Sequence, residues 1–382
     1  MTRILNVIRH PVGGIRSYLR YTYSALPADE WSTTVLTIDV EEAHLIRAGL
    51  VAPSRLEFVA DRDATLRLGL ASLQALQSRE YQLVHSQGAT AGIVTAPGAR
   101  LLGVPHVVTF HETFRAEQFA GVTGAVTRRA LVATIDLADA IVVLGHDAQS
   151  NLFECVPLDA AQRRKVHVVP NGVPVAWLTG EGSRQRPGLR ARLGVPPEVT
   201  LFGFVGRFMP EKGFDLLVQA VGELRRMGEA VPPFRVVAVN DGAYMREYLQ
   251  TIESLGLADQ FAFIELQPSA AGTLCELDAV VMPSRREACP LVAMEALVLA
   301  CPLIATNCVG LREVTAGTPA FAAESGDPVS VAGAMRRVLA DRTGAAAAAA
   351  AFAPQARARF DAAQTAAAMA TLFRQVMARP PQ

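Results

Sequence analysis

Lysine is almost missing from this chain of 382 residues: Lys165 and Lys212 are the two it has, and every other basic side chain is arginine. Net charge is missing as well, with 36 Lys+Arg against 36 Asp+Glu. The signs balance separately in residues 1–172 and in the remainder. Neither half is therefore a polyanion-binding arm, and nucleic acid is not an expected partner. Cysteine is scarce: Cys155, Cys275, Cys289, Cys301 and Cys308 are odd in number and show no C-x-x-C spacing. That argues against a disulfide framework or structural zinc and predicts a reducing, cytoplasmic setting. Long apolar runs are absent too. The longest, residues 291–306, contains Glu295 and Pro302, whereas a membrane span needs roughly 20 residues free of such groups. Arg3 and Arg9 bracket an N-terminal apolar run of only a few residues, so a secretion signal is not expected.

What is present is hydrophobic residues at 51%, enough to fill a large core and to exclude global disorder. Short β-branched runs at 3–8, 33–38, 83–85, 106–110, 140–144 and 166–169 alternate with amphipathic stretches. A second set follows at 201–205, 235–239, 261–264, 279–282 and 303–305. Such alternation predicts parallel sheets with helical crossovers, an α/β fold in two similar halves. The turn cluster Pro170-Asn171-Gly172-Val173-Pro174 and the Gly/Arg/Pro-rich segment 179–197 mark the boundary. The expected domains are 1–174 and 175–355, with a final alanine-rich helix, about 356–382, returning to the first domain after a bend at Pro354.

In open parallel sheets, ligands sit beyond the carboxyl ends of the strands. After the strand 201–205 the chain reads Gly206-Arg207-Phe208-Met209-Pro210-Glu211-Lys212-Gly213, then a helix from Phe214. A guanidinium that forks onto two oxygens, a mobile ammonium and a helix start are the parts of a diphosphate site. After the strand 279–282 comes a segment with Glu287 in the loop and Glu295 on the second turn of a helix starting near Pro290. Both carboxylates are expected to line one pocket, accepting hydrogen bonds from sugar hydroxyls, while the amides of Ala288, Cys289, Pro290, Leu291 and Val292 approach phosphate. Proline lacks an N–H, so in that stretch it contributes only its position.

These segments resemble the retaining glycosyltransferases of family 4, with the GT-B fold. Glu287 and Glu295 match the family's E-x7-E, and GRFMPEKG its G-R-x-x-x-E-K-G loop. Val169-Pro170-Asn171-Gly172-Val173 is similar to V-P-N-G-V at the domain crossover, and Asn240-Asp241-Gly242 and the segment 254–259 continue the likeness. The resemblance implies two Rossmann-like domains whose parallel sheets face across a cleft, an acceptor-binding first domain and a donor-binding second one. It implies transfer from a nucleotide-diphosphate sugar to a hydroxyl of a sugar, lipid-linked or small-molecule acceptor, in polysaccharide, glycolipid or small-glycoside synthesis. Arg207 and Lys212 would then hold the diphosphate, Glu287 the transferred sugar and Glu295 the ribose. Gly13 and Gly14 would form a glycine loop at the donor phosphate, and His111 would contact the donor sugar.

The pattern has departures: Glu287-Ala288-Cys289-Pro290 replaces E-G-F-G, Ala300 stands where the family places glycine, and Val309-Gly310 replaces Gly-Gly. No metal or cofactor is expected, although Asp61-Arg62-Asp63 forms a D-x-D string of the kind metal-dependent transferases use. A nucleotide-sugar 2-epimerase and a non-catalytic sugar-nucleotide binder are the rival readings. Residues 114–131 combine Arg115, Arg128 and Arg129 with Phe119, Val122 and Val126, which allows peripheral contact with the inner face of an anionic membrane.

Overall fold

A computed structural model describes residues 1–11, 13–40, 54–59, 64–184, 188–228, 231–239, 244–265 and 270–379. Asp61-Arg62-Asp63 and Asn240-Asp241-Gly242 lie outside them. The chain divides into two compact units, Met1–Gly172 with Ala362–Gln382, and Val173–Asp361.

In the first unit the strands are β1 (Thr2–Ile8), β2 (Trp31–Ile38), β3 (Ser54–Val59), β4 (Leu83–Gln87), β5 (His106–Phe110), β6 (Ala140–Val143) and β7 (Val166–Val168). They are parallel neighbours in the order β3-β2-β1-β4-β5-β6-β7. The second unit has β8 (Thr200–Val205), β9 (Phe234–Val239), β10 (Phe261–Ile264), β11 (Ala279–Met282), β12 (Leu303–Thr306) and β13 (Phe321–Ala323), in the order β10-β9-β8-β11-β12-β13. These too are parallel. The expected α/β class and paired parallel sheets are therefore present. β3 and β13, which the alternation did not reveal, lie at sheet edges: one carries two charges and the other is three residues long.

Strand order reverses between β1 and β4 and again between β8 and β11. Crossovers there leave on opposite sides of the sheet, which opens a crevice at the carboxyl ends. All six residues of β8 are buried, as is β4 throughout, because helices cover both faces of a parallel sheet.

The alanine-rich helix Arg342–Arg359 continues through Pro354 instead of ending there. Proline removes the bond to the carbonyl four residues earlier, but Ala350 and Pro354 are both exposed, so water can satisfy the freed oxygen. The break falls at Phe360 and Asp361, after which Ala362–Met377 packs on the first unit. Ala366, Met369, Ala370, Leu372, Phe373 and Val376 join Ile4, Leu83, Val107, Ala140 and Val142 in one core.

Ala300 has φ +59. The helix Leu291–Val298 ends in a Schellman turn, with Cys301 N–H on the Ala296 carbonyl at 2.9 Å and Ala300 N–H on the Leu297 carbonyl at 3.3 Å. The family's glycine at this position is thus a conformational requirement that alanine meets under strain. Ala300→Gly should stabilise the protein by about 1 kcal/mol, less what glycine's freer unfolded chain takes back. A thermal midpoint lower than wild type would contradict this.

Candidate active site

The reversal between β8 and β11 brings together the loops that follow them, and two glycines, Gly213 in the β8 loop and Gly310 in the loop after β12, set how closely their neighbours approach the β11 loop. Gly213 has φ +68, and a Cβ there would lie 2.0 Å from the Pro283 carbonyl oxygen. Gly310 has φ +79, and a Cβ there would lie 2.4 Å from the Glu287 carbonyl oxygen and 2.6 Å from that of Ala288. No other residue fits either place without moving backbone. Arg285 N–H donates to the Glu211 carbonyl at 2.8 Å and Glu287 N–H to the Val309 carbonyl at 3.1 Å. The Arg285 guanidinium forks onto both Asp215 oxygens at 2.7 and 2.6 Å and also reaches the Pro210 carbonyl at 2.8 Å. Phe208 anchors the first loop from below, fully buried among Phe204, Phe214 and Tyr248.

Above this frame, Lys212 Nζ donates to Oε1 and Oε2 of Glu287, each at 2.8 Å. Ser284 Oγ donates to Oε1 at 2.8 Å. The Glu287 side chain is 7% exposed and that of Lys212 30%, so the carboxylate is held inside while the ammonium meets solvent. A buried carboxylate deprived of its cation is strongly destabilising. Arg207 is exposed and makes no hydrogen bond among the described residues. Desolvation by its neighbours lowers its pKa and the charges of Glu211 and Glu287 oppose that. It stands within electrostatic range of the pair.

The helix expected near Pro290 begins at Leu291, with Pro290 as its N-cap, and Glu295 falls on its second turn. Glu295 is 4% exposed among Leu291, Met294, Leu297 and Val298. Ala288, Cys289 and Pro290 are buried, and Val292 is half-buried. Lys212, Glu287 and Ser284 thus meet directly. Ser284, Arg285 and Asp215 were not anticipated; an S-x-x-E spacing was the available signal for Ser284, and the sequence holds none for the Arg285–Asp215 fork.

Gly13, Gly14 and His111 belong to the first unit. Gly13 has φ 55 and ψ −127, which glycine tolerates. A side chain at Gly14 would meet nothing within 4 Å, so the fold itself does not demand glycine there. His111, just beyond β5, lies 2.8 Å through Nε2 from Gln87 Oε1 and edge-on to Tyr18 at 4.8 Å. Burial lowers its pKa to about 3. Next to it, Glu112 Oε1 accepts the Ala89 N–H at 2.9 Å, at the start of the helix Ala89–Leu102. Burial raises the pKa of Glu112 and the backbone N–H groups of Ala89, Glu112 and His111 restrain it. In the stretch 114–131, Phe114 and Phe119 are core residues, and the outward apolar groups are Val122 and Val126, 84% and 58% exposed, on the helix Gly121–Leu137. Among the described residues no helix is long and apolar enough to cross a membrane.

Two family profiles match the chain: "Glycosyltransferase Family 4" over residues 12–177 and "Glycosyl transferases group 1" over residues 199–341. The D-inositol 3-phosphate glycosyltransferase of Jonesia denitrificans is 31% identical over 63% of this chain and 59% of its own. The 2-deoxystreptamine glucosyltransferase of Streptomyces kanamyceticus is 31% identical over 68% and 67%. The chain thus spans about three fifths to two thirds of these curated relatives. Among solved structures, Anabaena HepE in complex with UDP and glucose superposes with TM-score 0.82 at 20% identity, over 98% of this chain and 100% of that one. Sucrose-phosphate synthase from Thermosynechococcus elongatus gives 0.80 at 20% identity, over 99% and 100%.

Burial holds three histidines of the first unit neutral. His106 and His111 are lowered to about 3, and His85 falls well below the usual imidazole range, with the charges of His111 and His106 adding to desolvation. In the unfolded chain each protonates near about pH 6.5. Below that pH the unfolded state binds more protons, so stability is present above about 6.5 and is lost as pH falls towards about 3. Urea unfolding between pH 7 and 5 should show this decline. His106→Gln should shallow it by up to about 1.4 kcal/mol per pH unit; an unchanged slope would mean that His106 does not titrate on unfolding.

Proposed function

The chain belongs to glycosyltransferase family 4, and on that premise we propose that it moves a sugar, with retention, from a nucleotide-diphosphate sugar to an acceptor hydroxyl. The observation that carries this reading is the Lys212–Glu287 pair at the β8/β11 reversal, with Arg207 exposed beside it. An ammonium has three donors. Glu287 takes two of them, which leaves the third for a phosphate oxygen. Arg207 brings a guanidinium fork to the same diphosphate. Glu287 accepts hydrogen bonds from the transferred sugar, and its fixed negative charge favours the positive charge that grows on the ring as the bond to phosphate breaks. Glu295 accepts from the ribose hydroxyls. The amides of Ala288, Cys289, Leu291 and Val292, together with the Gly13-Gly14 loop, meet the phosphates. His111 contacts the donor sugar.

In the retaining step the leaving diphosphate takes the proton of the acceptor hydroxyl, which adds to the same face that the phosphate leaves. The protein's contribution is chiefly electrostatic, since Arg207 and Lys212 hold the negative charge developing on the leaving group. These cations make a metal unnecessary in this reading. The unit that carries His111 binds the acceptor, a role consistent with relatives named for a cyclitol phosphate and an aminocyclitol acceptor. A reducing cytoplasm suits the five free thiols.

Arg207→Ala should lower donor turnover by about a hundredfold to a thousandfold with the fold retained, the usual cost of one preorganised donor to a developing anion. Lys212→Ala should lower turnover at least as much and also lower the thermal midpoint, since it strands the buried Glu287 carboxylate. Sugar-nucleotide hydrolysis and transfer assays, starting with UDP-glucose and run with and without EDTA, measure this. Near-wild-type turnover in the variants would remove the site assignment, and abolition by EDTA would remove the metal-free mechanism.

Val122 and Val126, outward beside Arg115 and Arg129, support peripheral contact with an anionic membrane that carries a lipid-linked acceptor. Co-sedimentation with vesicles should then require anionic lipid and weaken in Val122→Ser/Val126→Ser. Equal recovery with neutral vesicles, or none with either, would exclude that contact.

A further inference from the structure

Buried polar side chains line one face of the first sheet towards its carboxyl end. Strand alternation places Ile4, Asn6 and Ile8 of β1, Leu83, His85 and Gln87 of β4, and Val107 and Thr109 of β5 on that face, with Ile8 level with Gln87 and the polar groups gathered above Ile4 and Leu83. Asn6, His85, Gln87 and Thr109 are each at most 1% exposed. Buried polar groups of this kind are satisfied by one another, and here the satisfaction runs in a fixed direction.

The direction starts at a backbone carbonyl, which can only accept. Thr33 Oγ1 donates to the Ile4 carbonyl at 3.4 Å, so it accepts from Asn6 Nδ2. Asn6 Oδ1 is then turned to Gln87 Nε2 at 2.9 Å. Gln87 Nε2 also lies 3.1 Å from His85 Nδ1, and His85 Nε2 lies 2.7 Å from Thr109 Oγ1. His85 Nδ1 is met by the Tyr23 hydroxyl as well. With its amino group committed to Asn6 Oδ1, Gln87 presents Oε1 to His111 Nε2 at 2.8 Å. An amide oxygen accepts, so Nε2 of His111 carries the ring proton. Nδ1 of His111 makes no hydrogen bond among the described residues and keeps its lone pair.

We propose that Gln87 is a positioning residue for sugar transfer: its amide fixes His111 as the Nε2–H tautomer and leaves Nδ1 as an acceptor for a substrate hydroxyl. The inference deepens the role proposed for His111 and rests on that reading. Because burial keeps the ring uncharged, the tautomer is what the surroundings control. A ring with its proton on Nδ1 would meet a hydroxyl only as a donor, and would set a bare nitrogen against the Gln87 oxygen. The wrong tautomer is therefore penalised twice, at the substrate and at Gln87.

Nitrogen-15 NMR of the full chain labelled at histidine tests the tautomer directly. The expected result at pH 7 is a protonated Nε2 and a bare Nδ1 for His111. Gln87→Met, which removes the acceptor, should give a mixture of tautomers and lower kcat about tenfold with the donor KM within about twofold, the loss of a single neutral hydrogen bond. In a His111→Ala background Gln87→Met should add nothing, since a residue acting through another has no effect once that partner is gone. A proton on Nδ1 in the wild type, or additive losses in the double variant, would overturn the proposal. Absence of any donor turnover by the wild type would instead strike the transfer reading, and the NMR comparison of wild type with Gln87→Met would then decide the tautomer by itself.

Discussion

The second unit depends on one close approach of backbone to backbone. The loop after β11 is approached so closely by the loop after β8 at Gly213, and by the loop after β12 at Gly310, that neither glycine can carry a side chain, and this proximity puts Lys212 Nζ against both oxygens of Glu287. An ion pair between two such loops costs desolvation that its attraction need not repay. It persists because the frame beneath is made by other means. Buried aromatic packing at Phe208 and Phe214 holds one loop, the Arg285–Asp215 fork ties it to the other, and Ser284 satisfies a further lone pair of the carboxylate. The charges are therefore positioned at no cost in reorganisation when a ligand arrives, which is the condition under which fixed charges accelerate a reaction.

The two units use opposite electrostatics. At the β8/β11 reversal charges meet: Lys212 holds the Glu287 carboxylate inside while its own ammonium reaches solvent, and Arg207 stands exposed beside them. At the β1/β4 reversal, the polar groups are uncharged amides, hydroxyls and imidazoles, buried and joined in sequence. Neutral networks can be taken fully inside a sheet because each member needs only a hydrogen-bond partner, whereas a buried charge also needs a counter-charge. The returning helix closes this network from one side, since Phe373 packs edge-on to His85 at 5.3 Å. That contact joins the last residues of the chain to the polarity of its first strands.

How much of this was legible in the sequence follows from range. Strand periodicity is local, so eleven of the thirteen described strands could be read from short β-branched runs, and the sites followed from loops placed after them. Glu287, Lys212 and Arg207 were visible because spacing and residue type together carry chemistry. Gly213 and Gly310 were visible only as glycines: what each approaches is set by a strand elsewhere in the chain. Pro354 did not mark where the chain returns to the first unit: the helix continues past it, since water can satisfy the carbonyl it frees, and ends at Arg359. Ala300 was read as a departure from a pattern, and its positive φ explains why that pattern holds glycine. Gln87 lay just past the run read as strand, 83–85, and carried no signal, because an amide's direction is decided by a chain of neighbours that begins at Ile4.

The scarcity of lysine becomes intelligible once both lysines are placed. Lys165 Nζ donates to the carbonyls of Ile135, Asp136 and Ala138, at 3.2, 2.6 and 2.9 Å, at the end of the helix Gly121–Leu137. Lys212 Nζ serves two carboxylate oxygens and has one donor left. At Lys165 three carbonyls converge on a point from several directions, and at Lys212 a phosphate oxygen would do the same beside the Glu287 carboxylate. A guanidinium is planar and spreads its donors along two edges, so it matches a single carboxylate well, as Arg285 does with Asp215, and serves a three-dimensional cluster of oxygens poorly. A composition that favours arginine elsewhere keeps lysine at these two geometries, and the one with a donor to spare is the one at the proposed diphosphate site.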